Sequence, residues 1–199
     1  MERVWTKENF LKMALNRYYY PTKYESRAKV ISLGVKCVFI SHQQNDKDAA
    51  RKIADYLINA GVDVYFDEYD GDLRISHQSN NARAVTDSIR KGINNSSHML
   101  VLVSPNTLRS TWVPFEIGYG YDKTDLSVLC LKGIPKGSLP EYIRTANIIR
   151  DIYDFNIKIS NVLEKSQSLL EETKLMSSYA NSANPLSNVM DAMINDPYN

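Results

Sequence analysis

The sequence predicts an α/β protein built on a parallel β-sheet, and the distribution of apolar residues carries that prediction. Between about Lys36 and Arg150, short apolar runs alternate with longer segments whose apolar residues recur at helical spacing. The short runs are apolar at nearly every position, as expected of strands that helices cover on both faces. Strands and helices that alternate in this way form βαβ units with right-handed crossovers.

Each element follows from a local pattern. Asn45 and Asp46 are helix-capping residues, and Ala60-Gly61 is a typical helix end. The strands are predicted at Val35–Ile40, Val62–Phe66, Met99–Val103, Ser127–Leu131 and a short Ile148–Ile149. The intervening helices are predicted from Asn45 to Ala60, Ala82 to Asn94 and Trp112 to Tyr121, with a closing helix from Ile152 to Leu175. This order indicates a flavodoxin-like, five-stranded parallel sheet of order 2-1-3-4-5 with helices on both faces.

The chain's 199 residues suffice for one such core, with helical extensions at both ends. Residues 1–34 are predicted to form an N-terminal helical extension, with a helix from Thr6 to about Arg17 that ends before Pro21. Residues 35–152 form the main domain, and residues 153–199 form a C-terminal helix and a loose tail. The tail begins near Ser177, where the sequence becomes polar and rich in small residues.

Composition argues against several classes of function. The formal net charge is +1 with acidic and basic residues interleaved, so no basic face for nucleic acid or polybasic membrane anchor is expected. No apolar run of transmembrane length and no signal peptide is found, and the protein is therefore expected in the cytoplasm. The cysteines, Cys37 and Cys130, lie in apolar runs and are predicted to be free and buried. The histidines at 42, 77 and 98 lack metal-ligand spacing, so no metal is expected.

The sheet order predicts where a ligand binds. Ligands of such sheets lie outside the carboxyl ends of the strands, beside strand one. The loops at that edge run from Ser41 to Asp46, from Asp67 to Asn81 and from Ser104 to Ser110. They bring a hydroxyl, an imidazole and acidic side chains to one place.

A helix that begins beside this edge carries the strongest candidate for chemistry. Pro114 is tolerated only in the first turn of a helix, so the helix must begin near Thr111 or Trp112. Trp112 and Glu116 then lie one turn apart and are expected to share a wall of the cleft. Taken singly, a tryptophan at a helix start is more often core, and a lone glutamate is usually a solvated surface group. Their coincidence at one edge favours a functional site.

The motifs at this edge resemble those of Toll/interleukin-receptor (TIR) domains. The resemblance rests on FISH at residues 39–42, an acidic loop after the second strand, VLVSPN at 101–106 and STWVPFEI at 110–117. In the enzymatic branch of that family the glutamate at the position of Glu116 is essential for cleaving the nicotinamide–ribose bond of NAD. The resemblance also assigns contacts with NAD to a further set of residues: Ser41, His42, Gln43, Gln44, Asp67, Asp72 and Trp112.

The resemblance implies more about products and partners. The Pro-Gly of the receptor-type second loop and the later Phe-Trp box are missing, which counts against a receptor-type adaptor surface. The chain instead resembles the stand-alone bacterial TIR enzymes of Thoeris anti-phage systems, which make a cyclic or otherwise modified ADP-ribose signal for a separate effector. The family further implies self-association of TIR domains. NAD is then the substrate, and no additional cofactor is expected.

A single carboxylate is chemically sufficient for this reaction. Hydrolysis of O-linked sugars usually requires two carboxylates, one of which protonates the leaving group. The pyridinium of NAD leaves as neutral nicotinamide, so the remaining task is to stabilise a positively charged ribosyl transition state. Two alternatives stay open at this point: a non-catalytic TIR interaction module, and an enzyme similar to nucleoside deoxyribosyltransferases, which also use a glutamate at a glycosidic bond.

Overall fold

The fold is known from a computed structural model that describes residues 36–65, 82–110, 112–135 and 137–194. Within these ranges a 5-stranded parallel sheet has the order β2-β1-β3-β4-β5. Its strands are β1 (Cys37–Ser41), β2 (Asp63–Tyr65), β3 (His98–Val103), β4 (Asp125–Cys130) and β5 (Asn147–Ile149). The α-helices are α1 (Lys47–Ala60), α2 (Ala82–Asn94), α3 (Trp112–Gly120), α4 (Ile152–Leu163) and α5 (Gln167–Glu172). The predicted fold class and strand order are confirmed.

The helices pack on both faces of the sheet, because successive strand residues point to opposite sides. Leu100 and Leu102 of β3 face α1, α4 and α5, and we call this side the α1–α4 face. Met99 and Val101 face α2 and α3, and we call that side the α2–α3 face. β3 lies between β1 and β4, and its residues from Met99 to Val103 are all buried. A wholly apolar run therefore becomes the central strand, as its sequence predicts.

The connection from α1 to β2 shows how a local signal ends a helix. Gly61 adopts a left-handed conformation with φ of 97°. The Gly61 N–H donates to the Ile58 carbonyl, and the Val62 N–H donates to the Leu57 carbonyl, each at 3.0 Å. These bonds satisfy the last carbonyl groups of the helix. The chain then enters β2 two residues after the glycine, close to the predicted boundary.

The predicted single helix from Ile152 to Leu175 is wrong. The structure divides it into α4 and α5, and Glu164 between them has a left-handed φ of 55°. The Ser166 hydroxyl accepts the Leu169 N–H at 3.3 Å and begins the second helix. A serine that caps a helix competes with helix continuation, and here the local hydrogen bond prevails over the apolar periodicity.

The prediction of a loose tail is also wrong for the described residues. We call residues 173–194 the C-terminal segment. Met176, Leu186 and Met190 are buried in the core of the α1–α4 face. Main-chain hydrogen bonds hold the segment beside the sheet, from Lys132 N–H to the Val189 carbonyl at 2.8 Å and from Ile152 N–H to the Asp191 carbonyl at 2.9 Å. A few well-spaced apolar residues thus suffice to anchor a segment that reads as polar on average.

A buried polar cluster fixes the start of that segment. Tyr56 Oη lies 2.7 Å from the Ser177 carbonyl oxygen and 2.9 Å from Asn156 Oδ1, and it accepts the Ser177 N–H at 3.1 Å. Asn184 Nδ2 donates to the Ser178 carbonyl at 3.1 Å. Burial raises the pKa of the Tyr56 phenol above its ordinary value, so this side chain stays neutral. The cluster joins α1, α4 and the C-terminal segment.

Other sequence predictions have mixed outcomes. Cys37 and Cys130 are buried thiols outside any disulfide, as predicted, and burial raises the pKa of the Cys130 thiol. The N-terminal extension at residues 1–34 lies outside the described residues and stays a prediction. Among the residues that the structure describes, no helix has the length and apolar character needed to cross a membrane.

Candidate active site

The candidate site centres on a hydrogen bond between Ser41 and Glu116. Ser41 is the last residue of β1, and Glu116 lies in the second turn of α3. The Ser41 hydroxyl donates to Glu116 Oε2 at 2.5 Å, and the two residues are 1% and 8% exposed. The sequence leads one to expect a glutamate that lines an open cleft. The structure instead places it in a buried position, where the Ser41 hydroxyl donates to the carboxylate and orients it.

The packing of α3 determines where this glutamate lies. Val113 and Ile117 are 2% and 3% exposed and pack in the core of the α2–α3 face. The Ser110 hydroxyl accepts the Val113 N–H at 3.3 Å, which helps to cap the helix. Pro114 falls in the first turn, as predicted. Packing at Val113 and Ile117 therefore holds the first two turns of α3 and fixes where the backbone of Glu116 lies.

The loop after β1 presents the next candidate residues. His42 and Gln43 are half-buried, whereas Gln44 is exposed at the start of a short 3-10 helix. Gln43 Oε1 accepts the Asn45 N–H at 2.5 Å, so this side chain caps the turn. The geometry gives Gln43 a structural role, and the assignments of His42, Gln43 and Gln44 as contacts with a ligand stay predictions.

Asp46 connects this loop to the loop after β3. Its carboxylate is 8% exposed and accepts the Ser104 hydroxyl at Oδ2 (2.5 Å) and the Asn106 amide at Oδ1 (2.8 Å). The Ser104 hydroxyl oxygen in turn accepts the N–H groups of Asn106 and Thr107 at 3.0 and 3.2 Å. The two loops that flank the Ser41–Glu116 pair are thereby joined by a closed set of hydrogen bonds.

Sequence reasoning missed this connection. Asp46 is predicted as a helix cap, yet its side chain makes no capping hydrogen bond to α1. Ser104 and Asn106 are assigned to a ligand-binding loop without a partner. The available signal is that small polar residues follow two strands predicted to be neighbours. An aspartate at one strand end and hydroxyl and amide donors at the next form a natural pair.

Trp112 begins α3, but its contacts are aromatic. The ring is half-buried and meets Phe115 edge to face, with a centroid separation of 6.1 Å. Phe115 stacks on Tyr119 at 6.2 Å, and the Arg90 guanidinium lies 5.5 Å from the Tyr119 centroid. Trp112 therefore belongs to an aromatic row along α3 and packs against the α2–α3 face. Its predicted contact with NAD stays a prediction.

Other candidates fall outside what can be described. Asp67 and Asp72 lie outside the described residues, so their assignment as contacts with a ligand stays a prediction. Within residues 36–65, 82–110, 112–135 and 137–194, no group of three or more His, Cys, Asp or Glu residues could hold a metal ion.

A parallel sheet of order 2-1-3-4-5, with a glutamate beside the end of its first strand, defines a class of α/β proteins whose site lies at the carboxyl edge. Comparison with known families is specific: the TIR domain family matches residues 38–158, more than half of the chain. The chain belongs to the TIR domain family.

Individual relatives were found by sequence and by structure. The chain is 33% identical over 84 residues to 2' cyclic ADP-D-ribose synthase BtTIR of Bacteroides thetaiotaomicron, a match over 40% of this chain and 25% of that protein. The chain thus spans about a quarter of the relative's length. The TIR domain of the Toll-related receptor TRR-2 of Hydra magnipapillata is 15% identical, with a TM-score of 0.48 over 64% of this chain and 94% of that one. A TIR-STING receptor of C. gigas is 21% identical, with a TM-score of 0.49 over 73% and 40%.

Proposed function

We propose that this chain cleaves the nicotinamide–ribose bond of NAD and converts the remaining portion to ADP-ribose or to a cyclic ADP-ribose. The observation that carries the proposal is the Glu116 carboxylate, which is buried at the carboxyl edge and oriented by the Ser41 hydroxyl. Membership of the TIR domain family and the similarity to a bacterial protein named a cyclic ADP-ribose synthase support it.

Glu116 is proposed to act by electrostatic stabilisation. Loss of nicotinamide leaves positive charge on the ribose, and a fixed carboxylate in a buried setting stabilises that charge without reorganisation. The leaving group departs as a neutral molecule, so no general acid is required at this step. The other described carboxylate at this edge, Asp46, accepts hydrogen bonds from Ser104 and Asn106 of the loop after β3. Glu116 is the residue at the position that the family resemblance assigns to the catalytic glutamate.

The acceptor in the second half of the reaction distinguishes the products. Attack by water on the ribosyl carbon gives ADP-ribose, and attack by a group of the same ADP-ribose gives a cyclic product. Exclusion of water from the closed site favours the second outcome. The name of the bacterial relative favours a cyclic product for this chain too.

The test is nicotinamide release by wild type, Glu116→Gln and Glu116→Ala, with the melting temperature measured on the same samples. Glutamine keeps an oxygen that accepts the Ser41 hydroxyl, so the fold is expected to survive. Removal of the charge should lower the rate on the order of a hundredfold or more, about 3 kcal/mol. Glu172→Gln on α5 is the matched control because Glu172 is exposed, and it should keep the wild-type rate.

The same assay separates the alternatives. Folded Glu116 variants with wild-type rates would contradict the catalytic role. Exchange of a base with a deoxynucleoside, without nicotinamide release, would indicate chemistry similar to that of nucleoside deoxyribosyltransferases. An assembled wild type that releases no nicotinamide would favour a non-catalytic interaction module. The assay should span a wide range of protein concentrations, because self-association of TIR domains is part of the proposal.

We further propose that the product is a cytoplasmic signal in anti-phage defence, read by a separate effector. This step rests on the resemblance to stand-alone bacterial TIR enzymes. It predicts that phage infection of cells that carry the wild type raises an ADP-ribose derivative, detected by mass spectrometry, and that cells with Glu116→Gln do not show it. Equal levels in both cells would contradict the signalling role.

A further inference from the structure

Asp46, which joins the loops after β1 and β3, accepts hydrogen bonds from two side chains. The Thr107 hydroxyl has one proton, which it donates to the Leu102 carbonyl at 2.8 Å, while it accepts the Ser104 N–H at 3.1 Å. Its 3.4 Å approach to Asp46 Oδ2 is therefore not a donated bond. The Asp46 carboxylate is satisfied by the Ser104 hydroxyl and the Asn106 amide, and bonds to a charged acceptor are about twice as strong as neutral ones.

The position of Asp46 in the chain makes its choice of hydrogen-bond partners unusual. An aspartate just before a helix usually accepts an N–H of the first turn, yet Asp46 makes no such bond to α1. Its carboxylate instead reaches a loop that is 58 residues distant in sequence. The Asp46 side chain therefore does not cap α1 and instead connects two segments that flank the site.

The first of these segments contains Ser41, and the second precedes the helix that carries Glu116. Residues 41–46 begin with Ser41 and contain the candidate ligand contacts His42, Gln43 and Gln44. Residues 104–110 lead directly into α3, which carries Glu116. A displacement of either segment changes where the carboxylate faces the substrate, and an error of about 1 Å in such a site costs on the order of a hundredfold in rate.

We infer that Asp46 is a positioning residue for NAD cleavage: by holding residues 41–46 against residues 104–110, it fixes the geometry of the Ser41–Glu116 pair. This inference rests on the proposed function. Asp46 is assigned no contact with the substrate and acts through the two segments that it joins, so its removal should lower turnover in protein that remains folded. A purely structural aspartate would show the opposite pattern.

The first variant is Asp46→Asn, which keeps the shape but places an amide NH₂ against the Asn106 NH₂. We expect kcat for nicotinamide release to fall about tenfold or more at a temperature well below the melting transition. Asp48→Asn is the matched control, because Asp48 is also at the start of α1 and its side chain is 94% exposed. The control should keep kcat within about twofold of wild type.

A double variant that exchanges the residues at positions 46 and 106 makes the test specific. In the double variant Asp46→Asn/Asn106→Asp, the new amide at position 46 donates to the new carboxylate at position 106. Its oxygen still accepts the Ser104 hydroxyl. The donor and acceptor pattern is complete again, so kcat should recover at least about threefold over Asp46→Asn, as expected of coupled neighbours.

Hydrogen exchange of residues 41–47 and 104–110 provides a readout that does not depend on activity. Both segments should exchange faster in Asp46→Asn and return towards wild type in the double variant. A folded Asp46→Asn with wild-type kcat, or with unchanged exchange in both segments, would overturn the inference. If Asp46→Asn does not fold, Asn106→Ala removes one of the two donors, and the same criteria apply to it. A wild type that releases no nicotinamide overturns the proposed function instead, and hydrogen exchange then decides by itself whether Asp46 couples the loops.

Discussion

The two faces of the sheet differ in how closely their side chains pack at the positions compared below. On the α2–α3 face, a Cβ added to Gly92 would lie 2.6 Å from Tyr65 Cε1, and one added to Gly120 would collide with Met99 Sδ. On the α1–α4 face, the buried Ser127 hydroxyl has no hydrogen-bond partner among the described residues. It lines a cavity together with Leu100, Phe155 and Ile159. At Gly92 and Gly120 the first face leaves no room for a methyl group, whereas the second face has space beside a buried polar atom.

The face with the close contacts is also the face that positions the candidate catalytic residue. The tight face holds α3, and through Val113 and Ile117 it determines the position of Glu116. The looser face is completed by the C-terminal segment, which follows the sheet in sequence and contributes Leu186 and Met190. Both close approaches therefore lie on the face that carries Glu116.

The largest effect is expected from Leu186→Ala on the α1–α4 face. Leu186 is 0% exposed, and truncation of a buried leucine typically lowers the free energy of unfolding by about 2–5 kcal/mol. Leu169→Ala is the control, because Leu169 is 47% exposed and its change should fall within about 0.5 kcal/mol. Urea unfolding of the three proteins gives both values. Equal stabilities for the two variants would mean that the C-terminal segment is only loosely attached after all.

An intermediate effect is expected from Gly92→Ala on the α2–α3 face. The nearest atoms belong to the rings of Tyr65 and Phe39, which are 0% and 2% exposed and stack at 5.3 Å. Rigid buried rings cannot yield, so overpacking should lower the free energy of unfolding by about 1–3 kcal/mol despite the helix preference of alanine. Gly118→Ala in α3 has open space around its Cβ and should raise stability by up to about 1 kcal/mol. A stabilising Gly92→Ala would remove the contrast between the faces.

The fold was predictable from the sequence because its signals are local and periodic. The apolar run of β3, the glycine that ends α1 and the proline in the first turn of α3 each act within a few residues. The C-terminal segment was not predictable, since its attachment depends on apolar residues that are scattered among polar ones. Only the three-dimensional structure shows that Leu186 is buried in the core of the α1–α4 face.

The site was predictable in part for the same reason. Glu116 and Ser41 could be assigned to one edge from strand order and from motif resemblance. The hydrogen bond between them, and the tie from Asp46 to Ser104, depend on side-chain directions across 75 and 58 residues of sequence. Average patterns carry no information about those directions, and capping rules assign Asp46 to the wrong partner.

The smallest effect concerns the pH dependence of stability at the amino end of the α1–α4 face. Burial beside the cavity lowers the pKa of His98 below its ordinary value of 6.5, an effect that Asp125 opposes and that Lys158 and Lys36 reinforce. The unfolded chain therefore takes up a proton near pH 6.5, whereas the folded protein does so only at a lower pH. It follows that the contribution of neutral His98 to the free energy of unfolding is fully present above about pH 6.5, the value for the unfolded chain. This contribution is lost as the pH falls from there towards the lower pKa of the folded protein. Urea unfolding of wild type and His98→Gln between about pH 7.5 and about pH 5.5 should show the steeper loss in wild type. Equal pH dependence in the two proteins would mean that water in the cavity hydrates the imidazolium, and that this face is looser than the packing of Phe155 and Ile159 around it indicates.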